Sequence, residues 1–145
     1  MILKLFTDGG ARGNPGPGAS SALIFSETDK LLNFTAKYFV VTTNNNAEYQ
    51  ALLIGIKAAA KTVSSEFAGD PSIQLDCYLD SELAVKQMNG IYKISDANIK
   101  SIKAQIDLVT KTFKKVTYTH IRREQNKLAD KLVNLILDTK LSNDL

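Results

Sequence analysis

The run Ile2-Leu3-Lys4-Leu5-Phe6 leads straight into Thr7-Asp8-Gly9-Gly10, and the chain then stays polar and glycine-rich as far as Gly18. An apolar strand that ends in a carboxylate beside a glycine loop sets a charge at a sheet edge. It also leaves the backbone there bare enough to approach a ligand. Strand alternation puts Phe6 and Asp8 on one face and Leu5 and Thr7 on the other. Whatever fold this chain adopts must present that edge.

The rest of the chain supplies the sheet. Ala19 to Ser26 reads as a second strand, and Glu27-Thr28-Asp29-Lys30 as a hairpin-like connection. Leu31 to Val41 reads as a third strand, with Phe34, Tyr38 and Phe39 as sheet residues. Short links between these strands predict an antiparallel meander. The apolar period then lengthens. Ala47, Ala51, Leu52, Ile54, Gly55, Ala58 and Ala59 recur at helical spacing, with Asn44-Asn45-Asn46 as the cap and an end near Ser64-Ser65. Gly69-Asp70-Pro71 breaks the chain.

Ile73, Leu75, Cys77 and Leu79 alternate with Gln74, Asp76, Tyr78 and Asp80, which predicts a fourth strand that again ends in a carboxylate. Ser81 to Met88 reads as a short helix closed by Asn89-Gly90. Ser95-Asp96 caps a longer helix with a stripe of Ile99, Ile102, Ile106, Val109 and Phe113. Val116 to Ile121 reads as a fifth strand. Asn126 is the expected cap of a last helix packed through Leu128, Leu132, Leu135 and Ile136. Strand–helix–strand units require parallel pairing by crossover, so the sheet is expected to be mixed, three antiparallel strands plus two parallel, with helices flanking it. Residues 1–145 are expected to form a single domain, with 141–145 frayed.

Composition narrows the function classes. At 44% apolar and 23% charged the chain is globular in type, and no apolar run approaches the length of a membrane span. A single cysteine, Cys77, excludes an intrachain disulfide and a thiolate metal cluster. Met1 leads directly into a strand without a basic-then-apolar leader, so a cytoplasmic protein is expected. The net charge of +3 says little about nucleic acid by itself.

Four acidic residues stand out by position. Asp8 ends the first strand, Glu48 lies in the first turn of the first helix, Asp80 ends the fourth strand, and Asp130 lies a turn into the last helix. If the first and fourth strands pair in parallel, Asp8 and Asp80 meet at the carboxyl edge, where open α/β sheets gather ligands. Carboxylates brought together stay ionised at neutral pH only around a cation. Mg2+ or Mn2+ is the match for an all-oxygen donor set. Each residue also has a bland reading. Asp8 suits a turn, Glu48 suits a capping box with Asn45, Asp80-Ser81 suits an ordinary cap, and Asp130 suits a solvated helix surface.

Taken together the positions resemble type 1 ribonuclease H. Thr7-Asp8-Gly9-Gly10 with Gly13-Asn14-Pro15-Gly16-Pro17-Gly18 is similar to that family's first motif. The run from Thr42-Thr43-Asn44-Asn45-Asn46-Ala47-Glu48 to Leu52 is similar to its second. Leu79-Asp80-Ser81 is similar to the third, and Arg123-Glu124-Gln125-Asn126-Lys127-Leu128-Ala129-Asp130 to the fourth. The four occur in the family's order and span nearly the whole chain. The resemblance implies a ribonuclease H-like fold and a Mg2+-dependent endoribonuclease, with Mn2+ as a substitute, that cuts the RNA strand of RNA–DNA hybrids. It implies two metal ions held by Asp8, Glu48, Asp80 and Asp130, and products with 5′-phosphate and 3′-hydroxyl ends. It also implies substrate contacts at Gly9, Gly10, Ala11, Arg12, Asn14, Thr43, Asn44, Asn45, Gln87, Arg122 and Arg123, through 2′-hydroxyls, base edges and phosphates. A monomer is expected, with no membrane partner.

The chain departs from the family in two places. Many members carry a cluster of Lys and Trp between the third and fourth motifs. Here Gly90-Ile91-Tyr92-Lys93-Ile94-Ser95 is short, Lys93, Lys100, Lys103 and Lys111 are scattered, and there is no tryptophan. Weaker hybrid binding or another binding surface is expected, with Tyr92 as an alternative stacking residue. Longer relatives also use a loop histidine near the fourth carboxylate. The only histidine here, His120, falls within the fifth strand's pattern and reads as structural, which leaves Arg122 or Arg123 to touch the scissile phosphate. Without the basic cluster, RNA–RNA duplexes enter as a further substrate. The alternative is a non-catalytic hybrid-binding module of the same fold, against which the four carboxylates weigh.

Overall fold

A computed structural model describes residues 1–140. The expected fraying of 141–145 lies outside the described residues. Five strands, β1 (Ile2–Ala11), β2 (Gly16–Phe25), β3 (Leu31–Thr42), β4 (Gln74–Leu79) and β5 (Lys115–His120), form one open sheet in the order β3-β2-β1-β4-β5. β1 pairs antiparallel with β2 and parallel with β4; β2–β3 is antiparallel and β4–β5 parallel. This is the mixed sheet expected from the crossover rule.

The four helices are α1 (Asn44–Glu66), α2 (Glu82–Met88), α3 (Ala97–Val109) and α4 (Lys127–Thr139). The main core lies between the sheet and α1, α2 and α3. Leu3, Leu5, Ile24, Leu52, Ile56, Ile73, Leu75, Cys77, Leu79, Ile99, Ile102 and Ile106 pack together there out of water. The β4 alternation resolves as read, with Ile73, Leu75, Cys77 and Leu79 buried and Gln74, Asp76, Tyr78 and Asp80 half-buried. On the opposite sheet face α4 closes a smaller core of Ala19, Ala36, Val133, Ile136 and Leu137. Beside it Phe6 stacks on Tyr78 at 4.9 Å and meets Phe25 edge-on at 5.7 Å.

Several local expectations are corrected. β1 does not stop at Asp8. The small residues Gly9, Gly10 and Ala11 keep the antiparallel ladder going opposite Ser20, Ala19 and Gly18. Asp8 is therefore a strand residue, not the start of a turn. The cap of α1 is Thr43, whose hydroxyl accepts from the Asn46 amide, so the three asparagines are the first helical turn rather than the cap. That removes the capping-box reading of Glu48. Ser81, not Asp80, caps α2. On α4, Leu128 and Leu135 are exposed. The buried face is Ala129, Val133, Ile136 and Leu137, with Leu132 packed partly against it. Ala129 is small enough to bring the helix onto β2, where Ser21 Oγ donates to the Ala129 carbonyl at 2.7 Å.

Candidate active site

The β1–β4 register ends with Thr7 beside Leu79, so Asp8, still within β1, and Asp80, just past β4, follow side by side where the parallel pairing stops. Glu48 arrives from α1. Gly9 permits this, since a Cβ there would overlap the Ala47 carbonyl and stand 2.6 Å from the Glu48 nitrogen. On β2, Ser20 Oγ donates to the same Ala47 carbonyl at 2.6 Å. Consecutive serines of one strand thus pin one helix on each sheet face, Ser20 holding α1 and Ser21 holding α4. Neither serine was singled out from sequence. The signal was two hydroxyls inside an apolar strand, since buried polar groups require partners.

Carboxylate oxygens of Asp8, Glu48 and Asp80 all lie within 4.8 Å of one another. Asp8 is only 7% exposed. Burial first, then the charges of Asp80 and Asp130, push its pKa up to about 7. Glu48 is raised well above the usual carboxylate range by burial, then by Asp8 and Asp80, and its Oε2 is buried without a hydrogen-bond partner. Three clustered carboxylates, one with a buried oxygen that lacks a partner and none accompanied by a nitrogen or sulfur donor, fit a hard divalent cation. Asp130 lines the same cleft, of roughly 400 Å³, and Arg123 Nη2 lies 3.9 Å from Asp130 Oδ1.

Gly9, Gly10, Ala11, Arg12, Asn44 and Arg123 also line this cleft. Arg12 is paired with Asp138 at 2.7 Å. Asn14 stands outside the lining and accepts from the Asn44 amide at 2.9 Å. Thr43 is occupied as the α1 cap, and Asn45 and Arg122 stand outside the lining. The Gln87 amide is engaged at both ends: its Oε1 accepts from the Tyr49 hydroxyl at 2.6 Å and its Nε2 donates to the Lys93 carbonyl at 3.3 Å. Tyr92 is half exposed, with Lys86 5.0 Å above its ring. Gln87, Tyr92, Lys100 and Lys103 line a separate groove. His120 belongs to β5, as its strand pattern indicated, but it is the last residue of that strand and is exposed.

A family model described as "Reverse transcriptase-like" matches residues 6–136. LC11-RNase H1, isolated from compost, is 36% identical in a crystal structure with RNA/DNA hybrid. That structure gives a TM-score of 0.84 and covers 97% of this chain and 99% of that one. The chain belongs to the type 1 ribonuclease H family.

Ribonuclease HI of Halobacterium salinarum is 31% identical over 136 residues, covering 94% of this chain and 64% of that protein. A bifunctional protein of Mycobacterium tuberculosis is 31% identical over 139 residues. The amino-terminal RNase H domain of that protein superposes with a TM-score of 0.86 at 28% identity, covering 95% of this chain and 94% of that one. This chain spans 36% of the length of the mycobacterial relative, so a ribonuclease H domain occurs there within a longer protein. Among the described residues no helix is long and apolar enough to cross a membrane.

Proposed function

We propose that this chain is an endoribonuclease that hydrolyses the RNA strand of RNA–DNA hybrids and requires a divalent metal, Mg2+ or in its place Mn2+. The observation that carries the reading is the set of three carboxylates within 4.8 Å, one with a buried, unpartnered oxygen. The binding of RNA/DNA hybrid by LC11-RNase H1 supports the choice of substrate. Two bound ions would supply an activated water and neutralise the charge that develops on the leaving oxygen.

The protein's own part is to hold and to orient. Asp8 on β1, Glu48 on α1 and Asp80 just after β4 would hold the ions, Asp8 being assigned as the ligand shared by both and Glu48 and Asp80 as the further ligands. Asp130, across the cleft, is assigned to the side of the attacking water. The bare backbone at Gly9 and Gly10 is assigned to the sugar–phosphate chain of the RNA, and Glu48 is assigned to accept from a 2′-hydroxyl beside the cut. Arg12, Asn44 and Arg123 line the cleft and are assigned to contacts with the strand; Arg123 is assigned to the scissile phosphate. Asn14, Thr43, Asn45, Gln87 and Arg122 are assigned outer contacts along the duplex. The protein is taken to act as a monomer.

The test uses one labelled RNA strand in three forms: paired with DNA, paired with RNA, and single. Metal-dependent cutting of the hybrid alone is the expected result. Cutting of both duplexes would show that the 2′-hydroxyls of the cut strand suffice for recognition. Tight hybrid binding without cutting would replace the reading with that of a binding module.

A further inference from the structure

Asn126 precedes α4 but does not cap it through its side chain. The residue is buried, at 2% exposed. Its Nδ2 donates to the Thr7 carbonyl at 2.8 Å and to Asp80 Oδ2 at 3.2 Å. Its Oδ1 is buried and has no hydrogen-bond partner. Two acceptors on the nitrogen side therefore set the orientation of the amide. The backbone carbonyl of Asn126 meanwhile accepts from the Asp130 amide at 3.1 Å, and its own amide donates to Arg123 at 3.0 Å. One residue thus touches the peptide before Asp8, the carboxylate of Asp80 and the turn that carries Asp130.

We propose that Asn126 is a positioning residue that fixes Asp80 and the first turn of α4 against Asp8, so that the carboxylates hold the spacing a metal ion demands. The proposal rests on reading the cleft as a metal-dependent nuclease centre. A helix-start asparagine needs only a backbone partner within its own helix. This one instead directs its side-chain amide to the Thr7 carbonyl within β1 and to Asp80 just past β4, both more than forty positions away in sequence. A donor held on one carboxylate oxygen restricts how Asp80 turns, and such outer partners typically govern affinity and rate by 10–100-fold. Asn126 itself is assigned no contact with the RNA or with the metal.

The test compares the metal-free wild-type chain with Asn126→Ala and Asn126→Ser, titrated calorimetrically with Mg2+ and then assayed on hybrid. Asn126→Ala is expected to weaken Mg2+ binding at least about tenfold and to lower kcat about 10–100-fold, with KM for hybrid within about twofold. Asn126→Ser keeps one donor hydrogen and is expected to fall between. Ile136→Val, on the same helix but away from the cleft, is the control for a merely loosened fold and is expected to leave Mg2+ binding unchanged. Wild-type Mg2+ affinity in either folded Asn126 variant would overturn the proposal. So would a loss of Mg2+ binding in Ile136→Val equal to that in Asn126→Ala. Failure of both Asn126 variants to fold would also overturn it, by assigning the residue to the fold instead. If the wild type binds Mg2+ but cuts no hybrid, the proposed activity fails while the Mg2+ titrations still decide the role of Asn126.

Discussion

Asn44 Oδ1 accepts a 2.8 Å hydrogen bond from the Ala11 amide, and the Asn44 amide in turn donates to Asn14 Oδ1 at 2.9 Å. The end of β1, the glycine loop and the first turn of α1 are locked by this pair of bonds. The loop is therefore held against the helix before any substrate arrives. Asn44→Ala removes the side-chain half of the lock, worth about 1 kcal/mol. The expected result is a KM for hybrid raised by about three- to tenfold, with kcat changed by less than about twofold. Steady-state kinetics on a short hybrid checks this split; a fall in kcat alone would contradict it.

Gly9 is tied to Glu48 by close packing. Gly9→Ala forces a Cβ into the α1 backbone at Ala47 and Glu48. Overpacking of this kind costs about 1–3 kcal/mol, and here it moves a carboxylate off its site. Urea unfolding is expected to show that loss, and cleavage is expected to fall by more than the stability loss explains. An alanine variant with full activity would mean that α1 tolerates displacement at this end.

The acidic cluster makes the metal-free protein sensitive to pH. Asp8 in the folded chain holds its proton up to about 7, against an ordinary value of 3.8. Folding therefore retains a proton between these values that the unfolded chain releases, and stability contributed through Asp8 is lost as pH rises through about 7. With chelator present, the Tm of the wild type is expected to fall between pH 5 and 8 relative to Asp8→Asn. At pH 8 the variant is expected to be the more stable by several degrees. Added Mg2+ should reverse the order by stabilising only the wild type. Parallel pH–Tm curves for the two proteins would contradict the burial and charge ascribed to Asp8.

Tyr49 is buried in the main core, yet its hydroxyl reaches Gln87 Oε1 at 2.6 Å. Tyr49→Phe leaves that amide oxygen unpaired. Denaturant unfolding is expected to record a loss of about 1 kcal/mol. Hybrid KM should rise by about twofold if Gln87 meets the duplex as proposed, because the amide then loses its anchor. An unchanged KM would confine Gln87 to bracing α2.

The sheet and the carboxylates were legible because each has a local signature. The alternation of Ile73, Leu75, Cys77 and Leu79 is visible without any tertiary knowledge. The meeting of Asp8 and Asp80 followed from the expected parallel pairing of β1 with β4, although Asp8 proved to lie inside its strand and not at its end. The buried face of α4 was not legible in the same way. Of the expected stripe Leu128, Leu132, Leu135 and Ile136, Ile136 is buried and Leu132 packs partly against the core, but Leu128 and Leu135 are exposed, because β2 offers Ser21 to the Ala129 carbonyl and turns the Ala129–Val133–Ile136–Leu137 face inward. The role of Asn126 was hidden for a related reason. A polar residue at a helix start reads as a cap, and only the three-dimensional meeting of β1 and β4 reveals acceptors more attractive than its own helix. Sequence placed Asn44, Asn45 and Asn46 before α1 rather than in it, because Thr43 and asparagine are both good caps and the choice rests on one hydrogen bond.

The central claim is that Asp8 anchors a metal-dependent nuclease centre. The most direct measurement is the single-turnover cleavage rate of a labelled RNA–DNA hybrid, taken with Mg2+ and with chelator, for the wild type and for Asp8→Asn. The account predicts rapid cutting only by the wild type with Mg2+. It predicts a fall of at least about a thousandfold in the variant, about 4 kcal/mol of barrier, while the variant stays folded. Cutting by Asp8→Asn at a rate near that of the wild type, or cutting that survives chelation, would contradict it.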